Sequence, residues 1–295
     1  MSTSPVKGLF TLLRMPYWLM TGGLSLLTAF AITKSMIAPQ QMLLIFLSMA
    51  FITSAGFAIN DYFDRESDAV IKPKRPIPAG ALTLKQVIAI SSTLFTAGLI
   101  LSYFLGWLSF TIIAIDSMLL LLYSYLIKRK SGFAANILVG ILTGTAFMFG
   151  QAAASVPSEI TLISLSLYPI AFGTIGGNVL RDILSLEGDT KVGYPTLPQK
   201  IGSINAAKIG ALFFFLTGIL APLPYLIGKL SRHIGFTLYY LPFILIWSIL
   251  LIYSSIRLTL SASTIQNIRK YERMVTMSMI LLPIALIVET IAGIL

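Results

Sequence analysis

Carboxylates are scarce in this chain of 295 residues: there are eleven, and seven of them fall in two short segments. The first segment is Asn60-Asp61-Tyr62-Phe63-Asp64-Arg65-Glu66-Ser67-Asp68, and the second carries Asp182, Glu187 and Asp189. Asp61, Asp64 and Asp68 are spaced i, i+3, i+7, and Asn60, Asp64 and Asp68 are spaced i, i+4, i+8. Either set shares one face of a helix that runs through the motif. Crowded carboxylates repel one another and are costly to hold beside lipid unless a cation neutralises them. Oxygen-only ligands favour a hard ion, and Mg²⁺ binds through one or two carboxylates plus substrate phosphates. The candidate metal ligands are therefore Asn60, Asp61, Asp64, Asp68, Asp182, Glu187 and Asp189. Two such clusters facing each other would hold ions around a diphosphate. Lys72, Lys74, Arg75, Lys128 and Arg181 stand nearby in the sequence to contact its remaining oxygens. The alternative, solvated loop acids without a ligand, fits poorly with their rarity elsewhere and with their recurring spacing.

The spacing recurs closely. Asp61 to Asp68 is a step of seven, as is Asp182 to Asp189, and Glu66 and Glu187 each fall five positions after the first Asp. Ser185 occupies the position of Asp64 in the second copy. Motifs at 60–68 and 181–189 thus read as an internal repeat, and two copies on one membrane side imply a parallel repeat.

The elements that position these motifs are apolar. Hydrophobic residues make up 56% of the chain and charged ones 11%. Runs of about 20 apolar residues recur, each long enough to cross a bilayer. Backbone groups in lipid must be satisfied within a segment, which predicts helices. Nine spans are expected, at about 16–37, 42–61, 84–104, 107–127, 133–153, 160–182, 205–228, 234–256 and 273–294. With the N-terminus in the cytoplasm, 18 of the 21 basic residues fall on the cytoplasmic side, and only Lys34, Lys229 and Arg232 fall opposite. The expectation is an all-α polytopic membrane protein: nine transmembrane helices in one bundle, one domain over 1–295, N-terminus cytoplasmic and C-terminus outside. Both acidic segments then lie in cytoplasmic cap loops, about 62–83 and 183–204, which Pro73, Pro76, Pro78, Gly80, Gly188, Gly193, Pro195 and Pro198 keep from being continuous helix.

Several chemistries are excluded. With no cysteine there is no disulfide, thiolate metal site or cysteine nucleophile, and His233 as sole histidine rules out a multi-histidine metal centre. A net charge of +10 fits basic cytoplasmic loops and a phosphate-bearing substrate better than nucleic acid. No cleavable signal peptide is evident. Asp116 falls in mid-span, where an acid is a functional candidate or a hydrogen-bonded packing residue. Glu289, near the outer interface, reads as structural, and His233 as solvated. Gly173, Gly176 and Gly177 read as close helix packing, with shaping of a channel for the isoprenoid tail as the alternative.

Asn60-Asp61-x-x-Asp64-x-x-x-Asp68, followed by Lys72-Pro73-x-Arg75-Pro76-Ile77-Pro78-x-Gly80, resembles the first signature of the UbiA superfamily of intramembrane prenyltransferases. Arg181-Asp182-Ile183-Leu184-Ser185-Leu186-Glu187-Gly188-Asp189, with Gly193 and Thr196-Leu197-Pro198, resembles its second signature, with Ser185 where Asp is usual. Tyr123-Ser124, Lys128-Arg129, Asn136 and Gly140 match the region after the fourth helix, and Arg14 and Pro16 the Arg-Pro before the first.

The resemblance implies Mg²⁺ bridging the diphosphate of an isoprenyl donor to Asp64 and Asp68 on one side and to Asp182 and Asp189 on the other. It implies ionisation of the allylic C–O bond and attack by a lipophilic acceptor, with the active site on the cytoplasmic side of the cell membrane. Asn60 would orient metal or phosphate; Arg14, Lys72, Arg75, Lys128 and Arg181 would hold phosphate; Tyr123 would face the cation or contact the diphosphate. The pattern most resembles the archaeal branch that alkylates geranylgeranylglyceryl phosphate in ether-lipid synthesis. An aromatic acceptor such as 4-hydroxybenzoate or a naphthoate is the alternative within the family. A transporter of a cation or phosphorylated lipid would place polar groups near mid-membrane, whereas these acids gather at one face. The opening motif of a CDP-alcohol phosphotransferase is not found.

Overall fold

The structure, a computed structural model, describes residues 4–155, 159–231, 236–261 and 264–294. Arg232, His233, Val156 and Pro157 lie outside the described residues. Among the described residues, nine helices are long and apolar enough to cross a membrane, spanning 15–33, 39–63, 84–103, 107–130, 132–154, 162–184, 203–230, 238–260 and 265–294.

A short helix α1 (Pro5–Leu13) precedes the first span, α2 (Met15–Thr33). The second span, α3 (Pro39–Phe63), ends in the first acidic motif, and α4 (Arg65–Ile71) follows almost without a break. Thr83, closing a capping box with Gln86, starts α5 (Leu84–Tyr103). The fourth span is α6 (Trp107–Leu122), a π-helical segment Tyr123–Ile127 and one turn of α7 (Lys128–Lys130). The fifth is α8 (Gly132–Ala154). The sixth is broken: α9 (Leu162–Leu167) passes through a 3₁₀ turn at Tyr168–Ala171 into α10 (Phe172–Leu184), and Pro169, which has no amide hydrogen to donate, sits in the break. The second cap loop is largely helical too, as α11 (Leu186–Lys191) and α12 (Leu197–Ile201). Then come α13 (Ser203–Leu220), α14 (Leu223–Ser231) and α15 (Leu241–Ser261). The last span begins earlier than its apolar run: α16 (Ile265–Ser278), capped by Thr264, carries Arg269, Lys270 and Arg273 on exposed positions before α17 (Leu281–Ile294). Its charged outer face hides its first half from a hydropathy reading, while Ile268, Tyr271 and Val275 are buried on the inner face.

Helix α2 packs on α3, α8 and α17, joining the two ends of the chain. α3 packs on α5, and α10 on α13. In residue number, a shift of 121 carries the ranges of α2, α3 and α5 onto those of α8, the α9–α10 pair and α13. The core has two main parts. One, around Phe147, Phe214, Tyr240 and Trp247, serves the C-terminal half; the other, around Ile45, Ile52, Ile113 and Phe149, serves the N-terminal half. Large apolar side chains such as Phe104, Trp107 and Ile249 point outward, as lipid-facing residues do. Close approach of helix backbones needs glycine: a Cβ on Gly176 would stand 2.7 Å from the Gly210 carbonyl oxygen, so α10 and α13 pack through these two residues.

At the end of the bundle away from the acidic motifs, Glu289 is fully buried. It accepts from the Thr237 amide at 2.9 Å and hydroxyl at 2.7 Å and pairs with Lys34 at 3.3 Å, tying α17 to the end of α2. Asp116 is buried on α6, and one of its oxygens accepts from Thr145 of α8 at 2.7 Å.

Candidate active site

The first acidic motif lies along one helical face, as its spacing predicts, with a break at Asp64 between α3 and α4. Asn60 and Asp61 end α3, Asp64 joins it to α4, and Asp68 lies one turn further; all four are buried. Buried carboxylates need partners, and each has cations. Asp61 Oδ1 accepts from Arg14 Nη2 at 2.7 Å and from Arg75 Nη1 at 2.8 Å. Arg75 Nη1 also reaches Asp68 Oδ2 at 2.5 Å. Asp64 Oδ2 pairs with Lys128 Nζ and accepts from Asn60 Nδ2 at 2.8 Å. Asp61 therefore holds Arg14 and shares Arg75 with Asp68, while Asp64 faces Lys128.

Two backbone irregularities deliver those cations. Arg14, between α1 and α2, has a left-handed conformation with φ of 50°, a strained choice for a residue with a side chain. Its guanidinium is held by Asp61 and lies 4.4 Å from the centre of the Phe57 ring. The π segment at Tyr123–Ile127 adds a residue to the turn just before Lys128. Such bulges re-aim the side chains that follow them and are frequent at functional sites. Here it precedes the ammonium that meets Asp64.

The second motif faces the first under the cap. Asp182 Oδ2, half-buried at the end of α10, accepts from Asn136 Nδ2 at 2.7 Å. Lys128 and Tyr123 lie within electrostatic range of both Asp64 and Asp182. Asp189 Oδ2 accepts from Ser185 at 2.6 Å. Other residues named from sequence point elsewhere. Glu187 is exposed, and its carboxylate accepts from Lys191 at 2.8 Å, which holds it below the usual carboxylate range. Arg181 pairs with Glu272 of α16 at 3.3 Å. Lys72 reaches solvent at the rim, within range of the charges of Arg75, Asp68, Lys128 and Arg14.

Sequence reasoning missed Tyr194. This residue follows Gly193, whose φ of 71° turns the chain back. Its hydroxyl donates to Asp64 Oδ1 at 2.8 Å and lies 2.8 Å from Ser67 Oγ. Lys128 Nζ stands 4.9 Å from its ring centre. Burial, ahead of the nearby charge of Asp64, raises its phenol above the ordinary value of 10.0, so it stays a donor. The signal was only a tyrosine in a loop, because its partner lies 130 positions away.

The oxygen donors fit a hard divalent ion. Among the described residues no three carboxylates form a ready-made cage, which matches Mg²⁺ held jointly by protein and substrate phosphates. The buried Asn60 Oδ1, beside Asp64, has no hydrogen-bond partner. A buried acceptor left open carries a cost, and a cation at Asn60, Asp64 and Asp68 removes it.

A helical membrane bundle that gathers two acidic motifs and the cations paired with them at one end fits an intramembrane prenyltransferase. Residues 19–276 match the UbiA prenyltransferase family, and the chain belongs to that family. It is 35% identical to digeranylgeranylglyceryl phosphate synthase of Natronomonas pharaonis over 223 residues, 76% of this chain and 79% of that one. It is 38% identical to the protein of the same name from Methanococcoides burtonii over 190 residues, 64% of this chain and 67% of the other. A solved structure described as digeranylgeranylglyceryl phosphate synthase in membranes superposes with a TM-score of 0.81 at 28% identity, over 98% of this chain and 99% of that one. A UbiA homolog from Archaeoglobus fulgidus, bound to GPP and Mg²⁺, shares the fold with a TM-score of 0.68 at 18% identity, over 97% and 99% of the two chains.

Proposed function

We propose that this protein transfers a geranylgeranyl group from geranylgeranyl diphosphate to geranylgeranylglyceryl phosphate, in a Mg²⁺-dependent reaction at the cytoplasmic face of the cell membrane. The observation that carries the transfer chemistry is the convergence of Asp64, Asp68, Lys128 and Arg75 at the end of an apolar bundle. The relatives' shared name supports the acceptor. The distribution of basic residues supports a cytoplasmic site, an N-terminus inside and a C-terminus outside.

Asn60, Asp64 and Asp68 on one side and Asp182 and Asp189 on the other are the residues that would hold metal. When bound, Mg²⁺ neutralises charge on the diphosphate as a Lewis acid. Lys128, Arg75 and Lys72 would bind the diphosphate oxygens and take up the charge that develops on them as the allylic C–O bond breaks. That bond leaves its electron pair on the diphosphate. The acceptor hydroxyl oxygen then bonds to the allylic carbon, and its proton passes to the released diphosphate. Tyr123, half-buried within electrostatic range of both clusters, would present its ring to the allylic cation. The cap over the motifs would exclude the water that otherwise captures that cation.

The test is transfer from radiolabelled geranylgeranyl diphosphate by purified protein, with and without Mg²⁺. The acceptors would be geranylgeranylglyceryl phosphate, 4-hydroxybenzoate and a naphthoate. Mg²⁺-dependent labelling of the first alone is expected, with at least a hundredfold loss in Asp68→Ala and in Asp182→Ala. Labelling of an aromatic acceptor instead would overturn the acceptor assignment, and normal turnover in both variants would overturn the metal assignment.

A further inference from the structure

Among the described residues, Tyr194 makes the only side-chain hydrogen bonds that join the two acidic loops, to Asp64 and to Ser67. Elsewhere the loops meet through apolar contact, where Gly188 lies against Ile71. The two oxygens of Asp64 are divided. Oδ2 serves Asn60 and Lys128, and Oδ1 serves the Tyr194 hydroxyl. A cation approaching Asp64 on its Oδ1 side meets an oxygen whose charge is already drawn to a phenol anchored by the rest of the second loop. That loop is in turn fixed to the bundle, because Gly132 donates its amide hydrogen to the Pro195 carbonyl at 2.9 Å, next to Tyr194.

We propose that Tyr194 is a positioning residue that competes with the divalent cation for Asp64, latching the second acidic loop onto the first until metal and diphosphate arrive. The inference rests on the function proposed above. In the metal-free site the latch holds Asp64 in place and keeps the two motifs facing each other. When metal and diphosphate bind, the hydroxyl yields Asp64 Oδ1. A site that is latched most of the time binds its ligand more weakly by the fraction that is open, so a latch closed nine-tenths of the time weakens apparent affinity about tenfold.

The Tyr194→Phe variant removes the hydroxyl and keeps the ring beside Lys128. Two readouts that do not depend on turnover test it, both on the full chain in detergent or nanodiscs. The first is amide hydrogen exchange over residues 186–201 without metal. The second is binding of Mn²⁺, standing in for Mg²⁺, with and without inorganic diphosphate. The expected results are exchange several-fold faster in the variant and Mn²⁺ binding tighter by about three- to tenfold. Unchanged exchange, or Mn²⁺ binding that is unchanged or weaker in the variant, overturns the latch. If the wild type itself binds no Mn²⁺ in either condition, the reading of the whole site falls, which is a separate outcome. Ser67→Ala, which removes the other loop-to-loop hydrogen bond, gives an independent check: the same directions with a smaller size are expected, and no change in either readout counts against the proposal.

Discussion

The Lys128 ammonium pairs with the Asp64 carboxylate 64 positions earlier, and each side chain is presented by an interruption in its helix. Asp64 sits at the joint of α3 and α4, and Lys128 directly follows the π segment. Lys128→Ala should lower kcat/KM for the donor at least a hundredfold, by removing a cation that faces developing phosphate charge. Lys128→Arg keeps the charge but not the compact ammonium geometry, and should recover only part of that loss. Steady-state kinetics over a range of donor concentrations checks both. Equal activity in wild type and Lys128→Ala would place the diphosphate elsewhere.

Ser185 stands where the first motif has Asp64, and its hydroxyl donates to Asp189 four residues later. A carboxylate at that position would replace a donor with a like charge, repelling Asp189 unless a cation lies between them. Ser185→Asp should therefore lower thermal stability in metal-free buffer, tighten divalent-ion binding several-fold and keep transfer activity. Calorimetric titration with Mg²⁺ in the presence of inorganic diphosphate measures the binding, and weaker binding would argue against the repeat alignment.

The nine spans were legible because the length of an apolar run is a local property, and lipid leaves the backbone few choices but helix. The interruptions were less so. Pro169 was a local mark for the break in the sixth span, but nothing in Tyr123-Ser124-Tyr125-Leu126-Ile127 announces a π segment. The face shared by Asn60, Asp64 and Asp68 followed from helical spacing. Which cation meets which acid did not, since Arg14, Arg75 and Lys128 reach Asp61, Asp68 and Asp64 through tertiary packing. Glu187 shows the opposite limit. Its place in the repeat equals that of Glu66, yet both point away, one to Lys191 and the other to Arg65. A repeated spacing preserves helix register without specifying which members face inward.

Glu289 and the Thr237 backbone define a second polar centre far from the chemistry. Glu289→Gln keeps an acceptor for Thr237 but loses the charge opposite Lys34 and puts an amide where a carboxylate accepted several bonds. The cost should be about 1–3 kcal/mol, lowering Tm by about 5 °C, with transfer activity at moderate temperature within about twofold of wild type. A thermal melt by intrinsic fluorescence decides it. An unchanged Tm would mean that the buried carboxylate contributes no net stability.

Lys72 should make donor binding depend on pH. Partial desolvation at the rim of the site, and then the positive charges of Arg75, Lys128 and Arg14, hold its ammonium below the ordinary value of 10.5, against the pull of Asp68. The sign follows from proton counting: between the lowered folded value and 10.5 the unfolded chain binds more protons, so stability rises with pH across that window. An arriving diphosphate reverses the balance, because its negative charge favours the protonated amine. Binding should thus be accompanied by proton uptake in the alkaline range, and kcat/KM for the donor should fall as pH rises through the lowered value. Lys72→Arg, whose guanidinium keeps its proton, should abolish the proton uptake and move the alkaline fall to higher pH. Titration calorimetry in two buffers of different ionisation enthalpy measures the uptake directly; equal heats in both buffers for the wild type would mean that Lys72 does not meet the diphosphate.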